Sequence, residues 1–230
     1  MKKLLLALGA SLAFTQVSSA ITIDFEDIQA GTIVDDEYNI LGATISAFNF
    51  DNGLNLAVAF DTNNPTGGDD DLGSPFVPGP GNDLGNISPG NVLIIQENDN
   101  CDALTCSEPD DEGSRPAGQF VIEFEVAINL ESIDFFDIEL PESGPTDDNL
   151  IQLFNANGDL IDLLFYTPET GGDNQWVRSF FDVEGVSRIE INMGGSGAID
   201  NITYSQVPVP GALILFASAL GGFGFMRKRA

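Results

Sequence analysis

Short alternations of apolar and polar residues recur along the chain, and no long stretch carries a helical period. ITIDFE (21–26) places Ile21, Ile23 and Phe25 on one face, and GATISAF (42–48), LAVAF (56–60) and NVLIIQE (91–97) follow. QFVIEFEVAI (119–128), SIDFFDIEL (132–140), NLIQLFN (149–155), DLIDLLFY (159–166), WVRSFFDV (176–183), SRIEINM (187–193) and AIDNITYS (198–205) complete the series. Strands at this spacing, separated by Gly, Pro, Asn and Asp clusters, predict an all-β fold: an antiparallel β-sandwich or jelly roll. Asn157-Gly158 is the strongest hairpin signal, because both residues tolerate positive φ. Two segments break the rhythm. Asp61 to Gly90, with five prolines, reads as a long loop without regular structure, and Asn98 to Gly118 as a second polar loop.

The two ends differ from this body. MKKLLLALGASLAFTQVSSA has a basic start, a short apolar run and small residues at a cut, the order of a secretory signal peptide cleaved after Ala20. At the other end, residues 211–226 carry no charge and would make a helix of about 24 Å, short for a bilayer core of about 30 Å. Arg227, Lys228 and Arg229 after it would stay cytoplasmic, leaving the body outside. The expected organisation is thus a signal peptide over 1–20, one β domain over 21–206 and a tail over 207–230, with Val207, Pro208, Val209 and Pro210 as an extended element ahead of the helix.

Charge sharpens this division. All 36 acidic residues lie in the body, against Arg115, Arg178 and Arg188 alone, a formal charge of −33. Such a surface repels nucleic acid and suits divalent cations or a salty medium. Abundant patterned aromatic and β-branched residues exclude disorder as the explanation. Cys101 and Cys106, in CDALTC, could close a small disulfide loop once exported; a metal pair is the rival, without a histidine or a second cysteine pair to complete it.

The absence of histidine removes Ser-His-Asp and Cys-His catalysis. A carboxylate pair is still available for glycosidase chemistry, and Glu123 and Glu125 lie about 6.8 Å apart on one strand face. Their alternation with apolar neighbours is equally that of a half-exposed strand, and a non-catalytic protein is expected. Sugar-stacking candidates are Trp176 above all, then Tyr166, Tyr204 and Tyr38; most of the 17 phenylalanines read as core. GGDDDLG offers Asp69, Asp70 and Asp71 as a flexible acidic turn that Glu97 and Asp99 could approach. It is not an EF-hand loop, since Pro65 and Leu72 occupy positions five and twelve counted from Asp61. Asn86-Ile87-Ser88 and Asn201-Ile202-Thr203 match the glycosylation sequon by chance.

The Val-Pro-x-Pro element, short Gly-rich helix and basic end resemble the PEP-CTERM class of bacterial sorting tails, particularly its VPLPA-type variant. Val209 and Gly211 stand where that variant has Leu and Ala. The resemblance implies delivery through the Sec translocon and signal peptidase of a Gram-negative cell. Transient inner-membrane anchoring would follow, then processing by an exosortase-type membrane transpeptidase and release to the cell surface or extracellular matrix. IDFEDIQAGTIVDDEY, TGGDDDLGSP, NVLIIQEN and GSGAIDNITYS are similar to segments of PEP-CTERM exported β-sandwich proteins, and their arrangement resembles carbohydrate-binding jelly rolls. That second resemblance implies a structural calcium where first and last strands meet, with Glu26 and Asp200 as ligands; Asp69 and Asp71 are the other candidate calcium ligands. The expected role is a structural or adhesive surface protein, and the alternative a module that binds surface or extracellular polysaccharide.

Overall fold

The computed structural model describes residues 19–111, 115–161 and 163–207. The signal peptide, the sorting element after Val207, the apolar helix and the basic cluster therefore lie outside the described residues, apart from Ser19, Ala20 and Val207. Among the described residues no helix is long and apolar enough to cross a membrane. The described part of the body is all-β, interrupted by four three-residue 3-10 turns.

Among the described residues ten strands form one sheet: β1 (Ala20–Ile23), β2 (Ala43–Asn49), β3 (Ala57–Asp61), β4 (Val77–Pro78), β5 (Asn91–Ile95), β6 (Gly118–Phe136), β7 (Leu150–Phe154), β8 (Phe165–Tyr166), β9 (Gln175–Met193) and β10 (Ala198–Gln206). The order along it is β3-β5-β10-β6-β9-β7-β8, with β1 on β10, β2 on β6 and β4 on β9. All pairings are antiparallel except β4 with β9.

The two 19-residue strands β6 and β9 run antiparallel along their whole length and are the spine of the sheet. Each spans two of the strands expected from sequence. The alternation lapses between Phe124 and Ile128, where Val126 is exposed, and changes parity between Leu130 and Ile133, and the register of β6 on β9 slips at the same places. A parity change can end a strand or insert a bulge; here it inserts bulges, which bend the strand without breaking its ladder. One arm of the sheet consists of β2, the first half of β6, the second half of β9, β7 and β8. The other consists of β1, β10, β5, β3 and the remaining halves of β6 and β9. Inner residues of both arms share one apolar core, including Ile45, Phe120, Ile122 and Ile189 from the first and Ile133, Phe135, Ile199 and Tyr204 from the second. Phe124 and Tyr204 meet across it with ring centroids 4.9 Å apart, and the Tyr204 hydroxyl donates to the Leu41 carbonyl at 2.8 Å.

The second arm is covered on its outer face as well. The Asp61–Gly90 segment drops Leu72 and Phe76 onto Val58, Phe60, Val92, Ile94, Phe136 and Trp176, making a second apolar core. This segment is more ordered than its composition predicts. It carries β4, a bridge between Phe76 and Ile87, and a 3-10 turn at Asp70–Leu72, because Leu72 and Phe76 are buried. The residues around Asn157-Gly158 do turn the chain back, with Gly158 donating to Asn155 O at 2.9 Å. Only Gly158 takes positive φ, so both-positive turn geometry is not adopted. Of the described residues in 159–166, only Phe165 and Tyr166 form a strand, at the edge of the first arm.

Candidate functional site

Polar chemistry gathers on and around the outer face of the second arm. Strand register sets Arg178 on β9 opposite Asp134 on β6, and Asp134 opposite Asp200 on β10. The Arg178 guanidinium donates to both Asp134 oxygens at 2.6 and 2.7 Å, a fork-on-carboxylate geometry. Asn201 sits at a bulge with φ of 50°, which turns its amide toward both acids: Nδ2 donates to Asp134 Oδ2 at 3.0 Å and to Asp200 Oδ2 at 2.8 Å. Burial raises the Asp134 carboxyl above the usual range even though Arg178 pulls it down. Asp200 is held well above that range, by burial first and then by the charges of Asp134, Asp24 and Glu26.

The expected meeting of first and last strands is present, with Ala20 to Ile23 paired to Ser205 to Ile202. Glu26 and Asp200 nevertheless gather no ligand set. Glu26 Oε1 accepts the Asn91 backbone N–H at 2.6 Å, and among the described residues neither acid belongs to a group of three whose oxygens converge. Asp200 Oδ1 is buried without a hydrogen-bond partner, so that end of the row stays polar and under-satisfied. As they stand, these residues fit a calcium poorly.

Asp69 and Asp71 part company. Asp69 turns inward and accepts the Asp111 backbone N–H at 3.1 Å, while Asp111 Oδ2 accepts Gly197 N–H at 2.8 Å. Burial and the adjacent Asp69 charge hold the Asp111 carboxyl well above its ordinary value. Asp71 instead points to Asp137 and Asp173; one carboxylate oxygen from each lies within 4.8 Å of the other two. Glu97 and Asp99 are not in that group. Asp137 follows β6 with φ of 54°, and its carboxyl is pushed up to about 7, by burial first and then by Asp71 and Asp173. The sequence reading missed Asp137 and Asp173. A usable signal was present for the second: Gly67-Gly68-Asp69 and Gly171-Gly172-Asp173 repeat one turn composition.

Trp176 cannot serve as a sugar platform. It is 1% exposed, stacked on Phe136 at 6.3 Å with the Arg178 guanidinium 5.8 Å from its ring centroid, so the expectation placed on it is corrected. Its position follows from register, since Trp176 pairs with Phe136 beneath the Asp61–Gly90 cover. Tyr38 and Tyr204 are buried too, and Tyr166 is half-buried. The exposed aromatic of this face is Phe180, 67% accessible and two residues along β9 from Arg178. Glu123 and Glu125 are exposed on β6, with Arg188 directly across from Glu123. Cys101 and Cys106 are joined in a disulfide that closes a tight turn in the second loop.

No family model matches the chain, and no curated protein does. Among solved structures, wild-type discoidin II from Dictyostelium discoideum is similar at a TM-score of 0.36 and 11% identity. The match covers 80% of this chain and 61% of that one. A likeness this distant bears on neither fold nor function.

Proposed function

We propose that this chain is an exported, non-catalytic surface or extracellular-matrix protein, sorted through its tail and stabilised by calcium. Charge is the observation that carries the reading. Every arginine of the body is tied to a carboxylate: Arg115 to Glu139 and Glu142, Arg178 to Asp134, Arg188 to Glu190. The exterior is left with almost unrelieved negative charge on a rigid β body, which suits a saline medium and cation-mediated adhesion. The histidine-free sequence supports a non-catalytic role, as does the open, strand-borne setting of Glu123 and Glu125. The ends of the chain supply the address: Sec export, brief anchoring in the inner membrane, and recognition of Val207–Pro210 by an exosortase-type transpeptidase. Fractionation of cells with and without that enzyme tests it. The body is expected at the surface with the tail removed, and in the inner membrane when the enzyme is missing. An intact Arg227-Lys228-Arg229-Ala230 end on a soluble cytosolic species overturns it.

A second reading, binding of surface polysaccharide, is favoured by Phe180, an exposed ring beside the Arg178–Asp134 pair. Sugar modules combine an aromatic face with fixed polar groups in this way. Glycan-array binding that disappears in Phe180→Ala supports it; no binding to any glycan removes it.

A further inference from the structure

Three separate segments converge at the end of β6. Asp71 comes from the cover segment, Asp137 from the residue after β6, and Asp173 from the turn before β9. Hydrogen bonds to the backbone tie the three segments together. Asn174 N–H donates to Asp71 O at 2.8 Å, Asp137 N–H to Gln175 O at 3.0 Å, and Asn174 Nδ2 to Gly73 O at 2.5 Å. These bonds fix the backbone around the three positions and leave the carboxylates facing one another.

Asp137 is the informative member. It is 3% exposed, its Oδ1 is buried without a hydrogen-bond partner, and its carboxylate faces the other two. A buried, unpartnered carboxylate oxygen beside two more carboxylates is costly unless a cation completes it. Asp71 and Asp173 border an open cleft of about 290 Å³, which leaves room for several waters as further ligands. The exposed group Asp35, Asp36 and Glu37 differs. Its acids are consecutive, Glu37 Oε2 and Asp35 Oδ1 already accept backbone N–H groups at 2.8 and 2.6 Å, and nothing there is buried.

We infer that Asp71, Asp137 and Asp173 form a calcium site that pins the Asp61–Gly90 cover to the spine of the sheet. The donors are all oxygen, which excludes a preference for zinc. Three carboxylates on three loops, with an open side for water, match the six to eight oxygens of Ca²⁺ better than the compact octahedron of Mg²⁺. This rests on the calcium part of the proposed function and is independent of its export part.

The test is calcium titration of the chelator-dialysed full-length chain at constant ionic strength, by calorimetry and by melting temperature. One site with Kd on the order of 10⁻⁴ M is expected. At about 100-fold excess over Kd, melting should rise by roughly 5–10 °C. Asp173→Asn, at an exposed position, should weaken binding at least about tenfold and remove most of the shift. Asp137→Asn should do the same while melting no lower than wild type in chelator, because it removes the uncompensated charge. Asp200→Asn should keep the full calcium response. Absence of any response in the wild type overturns both the site and the calcium part of the function. A response undiminished in Asp173→Asn and Asp137→Asn, or one lost in Asp200→Asn, overturns this site alone. Should Asp137→Asn fail to fold, Asp173→Asn decides.

Discussion

The two arms of the sheet use the same spine strands for opposite purposes. In the first arm, β6 runs Phe120-Val121-Ile122-Glu123-Phe124-Glu125 with Phe120, Ile122 and Phe124 inward and the glutamates in water. In the second arm the same strand reads Ser132-Ile133-Asp134-Phe135-Phe136, and all five are buried. Alternation survives there, but its polar face looks into a second interior made by the Asp61–Gly90 cover. A carboxylate facing water costs little; one enclosed under a cover needs a partner, a proton or a cation. Asp134 has Arg178, Asp111 is held well above its ordinary value beside Asp69 and takes the Gly197 N–H, and Asp137 has an oxygen with no hydrogen-bond partner. The difference between the arms is therefore a difference in who neutralises the acids.

The largest effect that separates the arms should come from Phe136→Ala. It removes a ring that packs on Phe76 at 4.8 Å and on Trp176, and should cost about 3–5 kcal/mol in urea unfolding. A loss under about 1 kcal/mol would mean the cover is not a true second core. Arg178→Ala strands Asp134 inside and should cost about 2–4 kcal/mol. Adding Asp134→Asn to that variant should recover part of the loss, and a strictly additive double mutant contradicts the pairing.

Proton-holding by Asp111 gives a signed dependence on pH. Its carboxyl is raised in the folded state, so the native protein keeps a proton that the unfolded chain releases above about pH 4. That contribution is full below the unfolded value and is lost as pH rises toward the folded one. In chelator, melting should fall from pH 5 to pH 8, and Asp111→Asn should flatten the slope; an unchanged slope would assign it to the other raised carboxyls, Asp137 and Asp200, and to general charge repulsion. Smallest of all, Glu123→Ala on the open arm should change stability by less than about 0.5 kcal/mol. A large loss there would erase the contrast between the arms.

Much of the fold was legible because alternation reports burial directly. Ile45, Phe120, Ile122 and Ile189 lie where period two puts them. The merging of four expected strands into β6 and β9 was not legible, since a lapse of alternation at Val126 or a parity change after Leu130 looks the same for a bulge as for a strand end. Trp176 was misassigned for a related reason: its exposure depends on a cover contributed by residues about a hundred positions earlier. The acidic turn at Asp69–Asp71 was visible in sequence. Its partners Asp137 and Asp173 were not, because only the closed topology brings those segments together.

The pairing of Ala20 with Ser205 makes the body a ring in all but one peptide bond. A short linker between the old ends, with new ones opened at the exposed turn around Gly53, should yield a circular permutant with the same sheet. In that permutant the strands that now open and close the chain would become a hairpin, formed early and locally instead of across 181 positions.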